Sequence, residues 1–160
     1  MGFKEPNKRI SEKALPVWRL YGFFHSLVVI ILAIAATVLT IVFNWPVWII
    51  AIAILFSLIY SIVFIYVIPG IRWKRWRYEV REQEIELQHG VFIVKRTLIP
   101  MVRVQHVDTA QGPLLKKYNL ATITISTAAT PHEIPALDVF EADQLRHSIS
   151  ALARVAEDDV

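Results

Sequence analysis

The chain has 160 residues, of which 55% are hydrophobic and 19% charged, with a mean hydropathy of +0.46 and a net charge of +3. It contains no cysteine, which excludes disulfides and cysteine-ligated metals. Its basic residues cluster beside apolar runs and form no sustained cationic face, which argues against a nucleic-acid binder that must displace counterions from phosphates.

Residues 1–21 read as a basic amino-terminal segment carrying Lys4, Lys8, Arg9, Lys13 and Arg19. No Lys, Arg, Asp or Glu then occurs until Arg72. Gly22 to Phe43 is an apolar run of 22 residues, about 33 Å long as a helix and enough to cross a hydrocarbon core of about 30 Å. Asn44-Trp45-Pro46 separates it from an equally long run, Val47 to Ile68. Lipid offers no partner for backbone N–H and C=O groups, so both runs are expected to be helices, and residues 22–68 to form a transmembrane hairpin.

Trp18, Trp45, Trp48, Trp73 and Trp76 all fall at ends of these runs, where an indole with an apolar body and one donor settles. Basic residues flank the hairpin on both outer sides and are missing from its connecting loop. This pattern predicts a multi-pass protein of the cell membrane with both termini cytoplasmic. A cleaved signal peptide fits poorly, because the first run is too long, starts late and lacks a small-residue cleavage site. Within the hairpin, His25 is expected to contact the second helix or snorkel to the interface, and Ser57, Tyr60 and Ser61 to assist helix packing through interhelical hydrogen bonds.

Residues 72–160 number 89, enough for one small domain, and their 12 basic and 12 acidic residues cancel. Here the apolar period drops to two. Tyr78 with Val80, Ile85 with Leu87, and Phe92 with Val94 and Leu98 predict three strands, each burying one face. Glu82-Gln83-Glu84 and His89-Gly90 are the expected turns. Pro100 stops the third strand, Val102, Val104 and His106 begin another, and Gly112-Pro113 opens a short helical segment through Lys117. Ala121 to Thr127 is a further strand with Ile123 and Ile125 inward. His132 and Glu133 sit in a Pro-bounded loop. From Asp138 the spacing of Leu145, Ile149, Leu152 and Ala156 predicts a helix, with Asp138 and Glu141 forming a capping box and Glu157-Asp158-Asp159 fraying.

Ile99-Pro100-Met101-Val102-Arg103-Val104-Gln105-His106-Val107-Asp108, followed by Gln111-Gly112-Pro113-Leu114 and by Asn119-Leu120-Ala121-Thr122, resembles the YdbS-like bacterial proteins, in which a pleckstrin-homology-like domain is joined to membrane helices. The resemblance runs nearly end to end. It implies a membrane helical hairpin plus an α+β cytoplasmic domain over 72–160, a PH-like bent antiparallel sheet or split barrel capped by a carboxy-terminal helix. It also implies a non-enzymatic interaction or scaffold module that binds another membrane protein, with a related membrane-flanked one as the candidate, in an envelope-stress or antimicrobial-resistance setting. Glu82 and Glu84 occupy the hairpin where lipid-binding pleckstrin-homology domains carry basic residues, which disfavours a phosphoinositide pocket there.

Two sets of residues are candidates for function. Arg103 and Gln105 lie two apart on a predicted strand and share a face, as a partner site or as hydrogen-bond donors to a loop such as that at Gly112. Trp73, Lys74, Arg75, Trp76 and Arg77, with Arg72, could recognise anionic headgroups of the bilayer at about 1 kcal/mol per cation, but topological anchoring is the favoured reading because the positive-inside pattern already requires these charges. Anionic-lipid sensing is therefore the alternative function. His106, Asp108, His132 and Glu133 hint only weakly at a metal, and no catalytic, metal or cofactor site is expected. Signatures for acyl transfer, dinucleotide or phosphate binding and zinc hydrolysis do not occur in the sequence.

Overall fold

The computed structural model describes residues 5–158 and divides the chain into two units, Leu15–Ile71 and a second made of residues up to Ala14 together with those from Arg72 onward. Lys4 of the basic flank and Asp159 of the acidic tail lie outside the described residues, as do the side chains of Glu157 and Asp158.

In the first unit, α1 spans Ala14–Val42, starting eight residues before Gly22. Pro16 falls in its first turn, where a missing N–H costs nothing. Asn44 follows at φ 50, the left-handed conformation that ends helices. The second run is α2 (Trp48–Ile62), a π-helical turn (Val63–Val67) and α3 (Ile68–Arg75). Helix therefore continues through Pro69 and Gly70 rather than ending at Ile68. Pro69 has no N–H to give the preceding turn, and the π turn directly before it absorbs the misfit. Both helices are long and apolar enough to cross a membrane, and Ile31, Leu32, Ile41 and Leu55 are exposed along them.

The two helices meet at Gly22. A Cβ there would lie 2.3 Å from the Phe64 carbonyl oxygen, so only glycine permits this backbone approach. Ser26, one turn on, is buried and donates to the Gly22 carbonyl at 2.8 Å. Ser57 and Ser61 likewise donate to their own helix, to Ile54 and Ser57, not across the pair as expected. Backbone carbonyls three or four residues back are simply the nearest acceptors. His25 is exposed along α1.

The second unit contains two antiparallel sheets, ordered β1-β2-β3-β4 and β5-β6-β7. The first comprises β1 (Lys8–Arg9), β2 (Arg77–Val80), β3 (Glu84–His89) and β4 (Lys95–Pro100). The second comprises β5 (Val104–Ala110), β6 (Leu120–Thr127) and β7 (Pro131–Asp138). The short helix α4 (Pro113–Lys117) joins β5 to β6, and α5 (Val139–Asp158) packs on β5, β6 and β7. Tyr78, Ile85, Leu87, Ile123, Ile134 and Ile149 are fully buried between these layers. The Tyr78 hydroxyl donates to Glu141 at 2.6 Å, and burial first, then this carboxylate, pushes the phenol well above its ordinary range.

Several local expectations are corrected. The third strand starts at Lys95, not Phe92, and inside it Ile99 is buried while Leu98 is exposed. Gly90, at φ 133, closes a five-residue loop in which its absent Cβ would meet the Ile93 carbonyl at 1.9 Å, so Phe92 and Val94 are swept out of the sheet. Residues 131–138 form β7 rather than a loop. Edge position tolerates Pro131 and Pro135, and Ala136 at φ 53 marks the register shift opposite Ala121 and Ile123. Asp138 caps α5 by accepting from the Phe140 N–H at 3.2 Å, but Glu141 is taken by Tyr78 and does not complete a capping box.

Packing at Gly22 generates a prediction. Gly22→Val should destabilise the full chain in micelles by about 1–3 kcal/mol, as overpacking does. Gly70→Ala, where an added Cβ meets nothing within 4 Å, should be neutral or stabilising in the same thermal or denaturant titration. Equal stability of the two variants would show that the helix pair does not pack through Gly22.

Candidate functional site

Arg72, Lys74 and Arg75 occupy the last turn of α3, where free carbonyls and the negative helix end favour cations. The following fold then assigns the segment different tasks. Lys74 is exposed to solvent. The Arg75 guanidinium donates to the carbonyls of Val91 at 2.6 Å and Phe92 at 3.5 Å, clasping the β3–β4 loop. Arg77 sits on β2 and pairs with Glu5 at 2.8 Å. Trp73 lies 5.8 Å beneath the Arg9 guanidinium. Trp76 is only 5% exposed and stacks on His89 with ring centroids 5.6 Å apart, so it is a core residue and not an interfacial one.

Beside Trp76 is an open cleft of about 460 Å³ whose lining includes Arg72, His89, Lys95, His132 and Glu133. His89 and Lys95 are cross-strand partners at the end of β3 and β4, and His132 comes from β7. Burial lowers the His89 pKa, and Lys95, Arg72 and His132 lower it further. A ring whose protonation is opposed by its neighbours' positive charge marks a place where a compact anion is welcome. Sequence reasoning missed this cleft because its residues come from three distant strands and a helix end, and it assigns Arg72 to one group and His132 and Glu133 to another.

Arg103 and Gln105 do not share a regular strand. Arg103 closes a 3-10 turn (Met101–Arg103), β5 begins at Val104, and Gln105 falls at the register irregularity between Val104 and His106. Alternation across the segment is therefore lost. Both side chains are exposed, and neither makes a hydrogen bond or ion pair among the described residues. The loop at Gly112 is held instead by Gln111, whose Nε2 donates to the Leu120 carbonyl at 2.8 Å. At Val102, the residue before Arg103, runs a groove of about 500 Å³ between the β2–β3 turn, the 3-10 turn and α5, lined by Glu82, Gln83, Val102, Leu152, Val155 and Ala156. Val102 is 52% exposed here.

His106 and Asp108 approach to 3.4 Å on β5, while His132 and Glu133 stand on β7. With β6 between them, the pairs are two strand spacings apart, about 10 Å. Among the described residues no three His, Asp or Glu side chains gather closely enough to hold a metal ion.

The depressed pKa of His89 sets the sign of a pH effect. Between the folded value and the ordinary 6.5, the unfolded chain binds the proton first, so stability should fall as pH drops through about 6.5 and recover as it rises. His89→Phe, which keeps a ring against Trp76, should flatten that part of the slope in thermal melts of the full chain. An unchanged slope would remove His89 as its source.

Comparison with known proteins agrees with this architecture. Residues 19–153 match the family described as "Bacterial PH domain". The chain is 56% identical over 157 residues to the UPF0699 transmembrane protein YdbS of Bacillus subtilis (strain 168), covering 98% of this chain and 99% of that protein. It is also 25% identical over 95 residues to the UPF0699 transmembrane protein YdbT of the same organism, covering 56% of this chain and 19% of that one. No solved structure matches. Two apolar helices, two antiparallel sheets, a closing helix and these relationships together place the chain in the bacterial PH-domain family, as a membrane protein of the YdbS-like kind.

Proposed function

We propose that the chain is a non-enzymatic, membrane-anchored binding module whose PH-like domain docks another membrane protein, with both termini cytoplasmic. The observation that carries this reading is the groove beside Arg103. Val102 and Val155 are 52% and 58% exposed there, in a channel that Glu82 and Gln83 also line, and Arg103, the residue after Val102, is exposed and unengaged. A groove with an apolar wall, an acidic lining residue and an exposed guanidinium one residue along the chain suits an amphipathic segment that inserts its apolar face and sets charges of its own against Glu82 and Arg103. The kinship of part of the chain with YdbT makes a related membrane-flanked protein the natural candidate partner.

The topology draws support from two sources. Basic residues flank the hairpin and avoid its loop. Lys8 and Arg9, before the first apolar run, pair with Tyr78 and Arg77, after the second, and such a pairing needs both flanks on one side of the bilayer. The cleft at Arg72, His89 and Lys95 favours a second reading, recognition of an anionic headgroup, and under it the His89 pKa should climb when anionic vesicles are added.

For the leading reading, Arg103→Glu and Val155→Glu should each abolish crosslinking of a tagged copy to a specific partner in intact membranes, while leaving insertion and yield unchanged. Both residues are exposed, so the substitutions disturb little of the core. A partner retained by both variants would remove the groove from the account.

A further inference from the structure

The β3–β4 loop breaks the economy of the rest of the sheet unit. Phe92 and Ile93 are 89% and 84% exposed, the most exposed large apolar side chains among the described residues, and Val94 follows at 45%. Three consecutive apolar side chains on a loop tip lose nothing by facing water only if something apolar receives them. The tip is also built rather than slack. Gly90 at φ 133 packs against the Ile93 carbonyl, and Arg75 holds the carbonyls of Val91 and Phe92.

That clasp identifies what receives the tip. Arg75 is the last residue of α3, which begins at Ile68, the end of the second apolar run. Seven residues of helix advance only about 10 Å, so the guanidinium gripping the loop is covalently tied to within a headgroup layer of where that run leaves the hydrocarbon. Lys95 adjoins the apolar triplet, and Lys74 adjoins Arg75, both exposed and both suited to lipid phosphates. Apolar tip, cationic collar and short tether make one arrangement.

We propose that Phe92, Ile93 and Val94 form a wedge that inserts into the same bilayer that holds the hairpin, seated about 5–10 Å into the boundary between headgroups and acyl chains with Lys95 and Lys74 at phosphate level. The domain is thereby pinned to the membrane at a second point besides its helices, and the orientation of its remaining surface is fixed. This inference goes beyond the partner groove, which uses different residues and a different test.

The chain has no cysteine, so a single label reports one position. Ile93→Cys in the full chain, carrying an environment-sensitive fluorophore and reconstituted in vesicles of mixed zwitterionic and anionic lipid, is compared with Ser148→Cys on the exposed side of α5. The wedge predicts blue-shifted emission, quenching by lipid-borne spin labels and loss of iodide quenching at 93, with none of these at 148. Iodide access at 93 equal to that at 148 would overturn it. Shielding from iodide without quenching by the labelled lipids would overturn it equally, because protein rather than lipid would then cover the tip. Phe92→Ser added to the labelled chain should restore iodide quenching, and fully retained shielding would contradict a wedge that depends on apolar side chains.

Discussion

Two residue pairings, Lys8 with Tyr78 and Arg9 with Arg77, join the chain before the first apolar run to the chain after the second. Everything else depends on that closure. Polar contacts decorate it: Asn7 donates to Glu79 at 2.9 Å, Arg77 pairs with Glu5, and the Ser11 N–H reaches the Ala136 carbonyl at 3.2 Å. Exposed pairs of this kind contribute about 0–1 kcal/mol each. More of the holding power comes from Pro6, Ile10 and Ala14, which are buried beside the strand, since burying one large aliphatic side chain is worth about 1.5–3 kcal/mol. The amino-terminal segment is thus structural as well as basic.

With its ends tied, the chain distributes its cations by task. Arg75 organises a loop and Arg77 secures the amino terminus. Arg81 and Arg96 surround the buried carboxylate of Glu86, which would otherwise be a costly charge in the sheet. Arg103 alone of these five is left exposed and unengaged, one residue from the groove that Val102, Val155 and Glu82 line. Under the proposed binding role, such an unengaged group is available to a partner.

The hairpin, the strands around Ile85 and Ile123, the short helix after Gly112 and the closing helix were legible from period and turn chemistry, because burial writes its spacing directly into the sequence. Other features were not. β1 is two residues long and has no period to detect. The Phe92–Val94 alternation imitates a strand, and nothing local distinguishes a tip from an edge until Gly90 closes on Ile93. β7 was concealed by two prolines that an edge tolerates. Of the candidate residues, Arg103 and Gln105 were read as sharing a strand face and do not, and Trp76 satisfied the pattern of an interfacial indole yet stacks on His89 inside the domain. Close approach at Gly22 carries no signal beyond a glycine in an apolar run.

The central claim is a two-crossing hairpin whose flanks are paired on one side of the membrane. Accessibility of single cysteines to an impermeant thiol reagent tests it most directly, with Asn7→Cys before the hairpin, Val47→Cys in its loop and Ser148→Cys in the closing helix, each in a chain that has no other thiol. The account predicts that position 47 is labelled in intact cells and that positions 7 and 148 are labelled only after permeabilisation. Labelling of 7 and 148 on opposite sides would contradict the pairing of β1 with β2, and with it the topology built on that pairing.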